Sequence, residues 1–325
     1  MRWGIVGTGV IALQFVADMA ATDEVEIAGV YSRSHEKTVA FAKEHGIKKA
    51  YGSLDEMLAD SEIEIVYIAL PNNLHREAVI KAANAGKHIL CEKPLGINTA
   101  EAREMFEAAS QNDVVLMEGM WTRFFPLMCD LREKIARGEF GELYQAELSL
   151  GYNAIFAGEE ASWRFNPESG FGALTDMGVY PVHFALDLTG GKMPDELYGI
   201  ATVKNGIDYY NSFTMRFGTV LVSCVSSICN DTDVTARLYF EKGELVIAGN
   251  WWHPRSYTFR PSGEEAVEYR FDRTAEGLHY EAEAFQNYVK SGDAACALCS
   301  RQNTLTALTI MDKLRKDWGV IYPQD

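Results

Sequence analysis

The stretch RWGIVGTGVIA, residues 2–12, combines a short apolar strand, a glycine turn and the beginning of a helix. Its Gly7-x-Gly9-x-x-Ala12 spacing is the fingerprint of a βαβ dinucleotide-binding unit. Gly7 allows the tight turn, Gly9 lets the backbone approach a pyrophosphate, and Ala12 lets helix and strand pack closely. The helix N-terminus faces the anion. A glycine turn can merely join strand and helix, but these flanks favour a dinucleotide site that comprises Gly7, Thr8, Gly9, Val10 and Ile11.

Short strands and helices alternate through the first 120 residues. Apolar runs such as residues 65–70 suit strands that are buried on both faces of a parallel sheet. We predict strands at 25–31, 63–70, 87–91 and 114–118, and helices at 36–44, 54–59, 76–85 and 100–110. The sequence therefore predicts a doubly wound Rossmann domain over residues 1–120.

The pattern changes after about residue 142. One helix follows Asp176, alternating segments run from about 197 to 270 with Gly or Asp turns between them, and helices at 276–289 and 303–318 close the chain. We predict an α+β domain over residues 121–325, with a mostly antiparallel open sheet, for substrate binding and dimerisation. The fold class is thus α/β followed by α+β.

Composition excludes several classes of protein. The chain has 325 residues and a net charge of −16, which argues against a nucleic-acid partner. No stretch is long and apolar enough for a membrane span, and the N-terminus runs directly into a core strand. The Cys296-x-x-Cys299 pair lacks a second pair or a histidine, so we predict no metal site and read the six cysteines as reduced thiols of a cytoplasmic protein.

The end of the second strand bears on the cofactor. NAD-binding units usually place an acidic residue there for the ribose 2′-hydroxyl, whereas this chain carries Ser32-Arg33-Ser34. A hydroxyl and a guanidinium can bind a 2′-phosphate, which a carboxylate would repel. The residues Ser32 and Arg33 therefore favour NADP(H) over NAD(H), the alternative being that Arg33 is a solvated loop charge.

Two further strand ends carry polar residues. Leu70, Asn72 and His75 follow the strand at 63–70, at the edge where open α/β sheets bind ligands. Glu92-Lys93-Pro94 follows the strand at 87–91. By position alone, Lys93 is either a surface charge or a catalytic group that points into the cofactor cleft.

These motifs, together with GALTDMGVY at residues 172–180, resemble the glucose–fructose oxidoreductase/inositol dehydrogenase (Gfo/Idh/MocA) family over essentially the whole chain. The stretches EGMWTRFFP, residues 118–126, and WRFNP, residues 163–167, resemble the NADP-linked branch that contains dimeric trans-dihydrodiol dehydrogenase and glucose–fructose oxidoreductase.

The resemblance implies that Lys93 and Tyr180 form the catalytic pair, with Asp176 one helical turn before Tyr180. Many sugar dehydrogenases of the family carry histidine at the position of Tyr180, and Phe171 stands where relatives commonly have glycine, which changes the substrate-side loop. The predicted cofactor-binding set also contains Leu70, Asn72, His75, Glu92 and Lys93, and the resemblance implies that Arg123, Trp163 and Arg164 approach the cofactor. From sequence alone, Arg164 could equally belong to a surface ion pair.

The chemistry supports this pair. Removing a hydride from a carbinol carbon requires a base for the hydroxyl proton, and a free tyrosine with a pKa of about 10 is a poor base at neutral pH. A nearby ammonium lowers that pKa, so Lys93 beside Tyr180 is chemically sensible. The bland alternatives are a packed aromatic at Tyr180, a helix N-terminal acid at Asp176 and a packed histidine at His183.

Aromatic residues complete the candidate substrate site. Trp121 and Phe124, with Phe125, Trp163 and Phe165, line either an apolar substrate wall or the core, and the substrate set is Trp121, Phe124, Asp176, Tyr180 and His183. The cluster WWHP, residues 251–254, forms either the far wall of the substrate cleft or a subunit interface.

We therefore predict an NADP(H)-dependent oxidoreductase that transfers a hydride between nicotinamide and a sugar-like or vicinal-diol substrate, as a homodimer or a dimer of dimers. The alternative is a ligand-sensing protein that binds NADP(H) without turnover. A third possibility, reduction of a linear conjugated substrate as in biliverdin-reductase relatives, is disfavoured by the Lys93–Tyr180 pair.

Overall fold

The structure, a computed structural model, describes residues 1–155, 158, 165–273 and 275–325. These residues form two compact units. The first contains Met1–Gly96, Ala100–Trp121 and, from the C-terminal part of the chain, residues 275–301. The second contains Ile97–Thr99, Gln302–Asp325 and the described residues between 122 and 273.

A parallel sheet forms the centre of the first unit, with strand order β3-β2-β1-β4-β5-β6. Its strands are β1 (Arg2–Val6), β2 (Glu26–Tyr31), β3 (Lys49–Ala50), β4 (Ile65–Ile68), β5 (His88–Glu92) and β6 (Leu116–Gly119). The helices are α1 (Val10–Asp18), α2 (His35–Glu44), α3 (Leu54–Ala59), α4 (His75–Asn84) and all but the first residue of α5 (Thr99–Gln111). The order reverses between β1 and β4, which is the switch point where such sheets bind ligands. The predicted Rossmann fold is confirmed.

An eight-stranded sheet forms the centre of the second unit, in the order β14-β13-β12-β11-β7-β10-β9-β8. Its strands are β7 (Leu143–Gly151), β8 (Glu196–Lys204), β9 (Ile207–Phe217), β10 (Val220–Ser227), β11 (Ala236–Phe240), β12 (Gly243–Ile247), β13 (Ser256–Pro261) and β14 (Val267–Arg270). Neighbouring strands are antiparallel except β7 and β10, which are parallel. The predicted mostly antiparallel sheet is confirmed.

Helices cover one face of this sheet. The second unit contains α6 (Pro126–Ala136), α7 (Val179–Thr189) and all but the first residue of α9 (Arg301–Trp318), and α7 packs on β7 and β10. Strands β8, β9 and β10 alternate between buried and exposed side chains, as expected of a sheet with one covered face. Among the helices that the structure describes, none is both long and apolar enough to cross a membrane.

Helix α8 (Leu278–Ser291) belongs to the first unit, although it lies far along the chain. It packs on α1 and β5. The indole Nε1 of Trp3 donates to Gln286 (3.2 Å), and Trp3 meets Phe285 edge-on with 5.9 Å between ring centroids. Asp18 accepts the backbone amides of residues 276, 277 and 278, which lead into α8. A sequence pattern shows that this segment is amphipathic but not which sheet it covers.

Candidate active site

The glycine turn between β1 and α1 has the geometry of an anion cradle. Gly7 has a φ of +120°, and a Cβ there would lie 2.3 Å from the Ala69 carbonyl oxygen, so only glycine fits. Gly9 is the N-cap of α1, supplies no side-chain cap, and has open space where a Cβ would stand. The first-turn amides therefore face an open position, as a pyrophosphate requires. The turn fits a dinucleotide.

The end of β2 carries hydroxyls and one cation. The amide of Ser32 donates to Thr38 Oγ1 (2.9 Å), and the two hydroxyls are 2.8 Å apart, which fixes the loop. Arg33 is exposed, and within the described part of the chain no hydrogen bond or ion pair occupies its guanidinium. This strand end offers a 2′-phosphate a cation that is not already neutralised.

His75 joins two strand ends. It is fully buried; its Nε2 lies 2.8 Å from the Leu70 carbonyl and its Nδ1 3.0 Å from the Pro94 carbonyl. Burial lowers its pKa and favours the neutral ring, which has a single N–H and donates to one of these two carbonyls at a time. His75 was predicted among the cofactor contacts, and this stays a prediction; in the structure its ring lies between the β4 end and the turn after Lys93. Asn72 lies in the intervening 3₁₀ turn.

The turn that carries Lys93 is held by buried carboxyl groups. Glu92 accepts from the Tyr67 hydroxyl and from the Lys93 amide, the latter at 3.3 Å. Glu118 accepts the Leu95 amide at 3.0 Å. Lys93 itself is half-buried. The backbone on both sides of the lysine is therefore fixed by side chains of the same unit.

A third buried acid, Glu281 on α8, accompanies this pair. Burial, and then the charges of Glu92, Asp18 and Glu118, hold the pKa of Glu281 well above its ordinary value. Burial also raises the pKa of Glu92, while Lys93 lowers it. Glu281 was not predicted from the sequence, and Glu118 was noted only as the first residue of the motif at residues 118–126, because helical and strand acids are usually solvated.

Asp176 and Tyr180 lie on one continuous helical segment. Residues Leu174–Gly178 form a π turn that leads directly into α7; such turns are often found at functional sites. The sequence predicted a helix after Asp176 but not this wider turn, because the hydrogen-bond pattern of a turn leaves no clear residue signature. Tyr180 is 6% exposed, and its ring lies 5.4 Å from that of Trp252.

Arg123 packs against the same helix. It is 2% exposed and forms an ion pair with Asp187 and a 3.2 Å contact from Nη1 to His183 Nδ1. A guanidinium has no acceptor, so Nδ1 must accept, which places the ring proton of His183 on Nε2. Arg132 contacts the other Asp187 oxygen at 3.5 Å. Arg123 was predicted to contact the cofactor, and this stays a prediction; in the structure it contacts His183 and Asp187.

The WWHP cluster divides between core and site. Trp251 is fully buried, stacks on Phe184 and donates to the Ser149 carbonyl (2.8 Å). Trp252 lies against Tyr180 instead. His253 lies 3.1 Å from Arg273, and burial, then Arg273 and Arg255, lower its pKa to about 4. Arg273 was not predicted from the sequence.

The aromatic candidates are mostly buried. Trp121, Phe124 and Phe125 are each less than 9% exposed, and Phe165 packs against Phe171 and Tyr209. Trp163 and Arg164 lie outside the described residues. The structure thus brings Asp176, Tyr180, His183 and Arg123 together in the second unit, and Leu70, His75, Glu92 and Lys93 in the first. Among the described residues, no group of three or more His, Cys, Asp or Glu side chains could hold a metal ion.

Comparison with solved structures gives the same fold. An aldose-aldose oxidoreductase from Caulobacter crescentus is 21% identical with a TM-score of 0.88, and covers 97% of this chain and 96% of its own. A 3-ketoreductase from Actinomadura kijaniata, solved with NADP, is 21% identical with a TM-score of 0.85, and covers 97% of both chains.

Sequence comparison identifies the family. The profile of the oxidoreductase family with an NAD-binding Rossmann fold matches residues 1–120, and the GFO/IDH/MocA C-terminal domain matches residues 128–246. Human trans-1,2-dihydrobenzene-1,2-diol dehydrogenase is 32% identical over 335 residues, and a scyllo-inositol 2-dehydrogenase (NADP(+)) from Bacillus subtilis is 32% identical over 336 residues. Both alignments cover 100% of this chain and 99% of the relative. The chain therefore belongs to the Gfo/Idh/MocA family and is an NAD(P)-dependent oxidoreductase.

Proposed function

We propose that this protein is an NADP(H)-dependent oxidoreductase that transfers a hydride between nicotinamide and a hydroxyl or carbonyl of a sugar-like or vicinal-diol substrate. The observation that carries the cofactor choice is the end of β2, where Ser32 and an unneutralised Arg33 stand in place of an acid. Two relatives support the substrate class. One is named as a dehydrogenase of a dihydrobenzenediol and the other as an NADP(+)-dependent scyllo-inositol 2-dehydrogenase.

We assign the proton transfer to Tyr180 and Lys93. A bound nicotinamide supplies or accepts the hydride, and the residues of the chain must move the accompanying proton. In the oxidative direction the Tyr180 phenolate accepts the substrate hydroxyl proton, and in the reductive direction the phenol donates it. In this proposal the Lys93 ammonium lowers the Tyr180 pKa toward neutrality.

The neighbouring side chains take supporting roles in this proposal. Asp176 orients the substrate or the lysine, and His183 offers its Nε2 proton while Arg123 holds its other nitrogen. Trp121 and Phe124 contribute apolar surface to the substrate site. The glycine-turn residues with Leu70, Asn72, Glu92 and Lys93 hold the dinucleotide, in a domain that spans residues 1–120.

A panel assay tests the proposal. NADPH oxidation and NADP⁺ reduction are followed with sugars, inositols, dicarbonyls and dihydrodiols, and NADPH binding is measured in parallel by fluorescence. We expect turnover of at least one diol or sugar-like substrate, and its loss in Lys93→Met. Tight NADPH binding with no turnover of any member would favour the alternative, a sensor that binds NADP(H) without catalysis.

The remaining assignments concern the protein in the cell. The exposed apolar face of the second sheet supports a homodimer or a dimer of dimers, with residues 121–325 supplying the interface. No disulfide joins the six cysteines, all of which are described, and we place the enzyme in the reducing cytoplasm.

A further inference from the structure

Asp208, on β9, is a buried carboxylate that none of the sequence motifs includes. Its side chain is 0% exposed. Oδ2 accepts the backbone amide of Leu174 (2.8 Å) and the side-chain amide of Asn211 (2.8 Å). Leu174 is the first residue of the π turn that leads to Asp176 and Tyr180. Asp208 therefore binds an otherwise unsatisfied amide at the start of that helical segment.

The carboxylate is itself fixed to the sheet. The hydroxyl of Ser226 donates to Asn211 Oδ1 (2.7 Å), and Ser226 on β10 is the register partner of Asn211 on β9. Two adjacent strands thus set the position of the Asp208 oxygen that Leu174 uses. Through these hydrogen bonds, strands β9 and β10 fix the position of the backbone at the beginning of the helical segment.

The second carboxylate oxygen of Asp208 explains why residue 172 is a glycine. Asp208 Oδ1 is buried and has no hydrogen-bond partner among the described residues. A Cβ on Gly172 would lie 2.2 Å from this oxygen and 3.1 Å from the Tyr322 hydroxyl. Tyr322 in turn donates to the Phe171 carbonyl (3.2 Å). The loop before the π turn is therefore held between Asp208 and the C-terminal segment, and only glycine allows this approach.

The surroundings make this carboxylate sensitive to pH. Burial raises its pKa from 3.8 to about 6, although both hydrogen bonds and the charge of Arg315 lower it. Arg315, on α9, is paired with Asp312 and Asp325. The other titratable group that faces Asp208 is the hydroxyl of Tyr322. Asp208 is ionised at neutral pH, when its bonds are charge-assisted and strongest.

We propose that Asp208 is a positioning residue, which fixes the first turn of residues 174–189 and thereby the side chains of Asp176 and Tyr180. This inference rests on the proposed function, in which Tyr180 transfers the proton. Protonation of Asp208, at the unpartnered Oδ1, leaves Oδ2 as a neutral acceptor and weakens the bond to Leu174. Turnover, rather than cofactor binding, should then decline on the acidic side.

The test combines hydrogen exchange with a pH profile on the full-length protein. In Asp208→Asn, amides in residues 172–180 should exchange about tenfold faster at pH 7.5, because a charge-assisted bond is lost. The kcat should fall about tenfold, and the acidic limb near pH 6 should disappear, while NADPH affinity stays unchanged. The matched control is Asp195→Asn, since Asp195 also accepts a backbone amide, that of Gly218 (2.6 Å), away from this helical segment.

Asn211→Ala is a second variant that leaves the carboxylate in place. Removing a hydrogen bond to the ionised form raises the Asp208 pKa, so the acidic limb should move upward by about half a pH unit or more. A merely structural role would leave this midpoint unmoved. The second variant also keeps the proposal testable if Asp208→Asn fails to fold.

Three outcomes would overturn the proposal. Unchanged exchange in residues 172–180 of Asp208→Asn would refute the anchor. Faster exchange with normal kcat would refute the positioning role. The wild-type protein could also turn over no substrate while residues 172–180 still exchange faster in Asp208→Asn than in wild type. That result would refute the proposed function and with it the positioning role, but not the anchor.

Discussion

Lys93 is held in place by side chains from several distant stretches of the chain. His75 and Glu118 bind the backbone immediately after it, and Tyr67 fixes the carboxylate immediately before it. From the sequence, Lys93 could be named as a candidate because it follows a strand end. The hydrogen bonds that hold the backbone around Lys93 could not be predicted. Hydrogen bonds between distant segments follow from the packing of the sheet rather than from residue spacing.

The cofactor preference depends on one exposed cation. In Arg33→Ala the affinity for NADPH should fall roughly tenfold or more, because a hydrogen-bonded charge pair with the 2′-phosphate is lost, while the affinity for NADH should change little. Fluorescence titration of both cofactors measures this difference. Arg103→Ala, which removes another exposed arginine of the same unit, should leave both affinities unchanged. Equal affinities for NADPH and NADH in the unmodified protein would contradict the NADP(H) assignment.

Helices and strands were predictable to the extent that they repeat a simple period. The helix at 54–59 was predicted with its observed bounds, and strands β2 and β5 within one residue at each end. Helix α8 was expected at 276–289 but begins at Leu278, after residues whose amides bind Asp18. The π turn at Leu174 was not predicted, since its amide partner, Asp208, comes from a strand more than thirty residues later.

The beginning of the helical segment at residues 174–189 should make a contribution to stability that depends on pH. The pKa of Asp208 is raised from 3.8 to about 6 in the folded protein, so between these pH values the folded state binds more protons than the unfolded state. The contribution of Asp208 protonation to the free energy of unfolding is therefore fully present at low pH. It is lost as pH rises through about 6.

Thermal unfolding of Asp208→Asn and wild type checks this sign. Between pH 4.5 and pH 8, the Tm of Asp208→Asn should rise relative to the Tm of wild type. The reason is that the wild-type protein must bury a charge at pH 8 and the variant does not. The control Asp195→Asn, at an exposed carboxylate, should show no such shift. A difference that moved toward wild type with rising pH would mean that the folded protein prefers the ionised form of Asp208.

The second sheet presents an apolar face that points to self-association. Tyr198, Ile200, Tyr210 and Val225 are 68%, 77%, 47% and 42% exposed on three neighbouring strands. Ile200→Arg should convert the predicted dimer to a monomer in light scattering, because an arginine cannot be buried there without a partner. Ile321→Arg, at an isoleucine that is 70% exposed outside the sheet, is the control. A wild-type protein of 36.2 kDa in solution would refute the prediction of a dimer.

The proposed function makes Lys93 and Tyr180 act together in one proton transfer. When two groups act together in one step, the effects of their substitutions on turnover are strongly non-additive. Lys93→Met and Tyr180→Phe should each reduce turnover by roughly 10²–10⁴-fold, and the double variant should be scarcely worse than either. Residual activity of Lys93→Met should move to higher pH, as the tyrosine returns toward its free pKa.

The most direct measurement is single-turnover hydride transfer in Tyr180→Phe, at saturating NADPH and with a substrate that the wild type accepts well. This variant keeps the ring beside Trp252 but removes the transferable proton. The account predicts that the rate falls by roughly 10²–10⁴-fold while NADPH binding, titrated by fluorescence, is unchanged. A near-normal rate would contradict it and would assign the proton to another residue, with Asp176 and His183 the next to be tested.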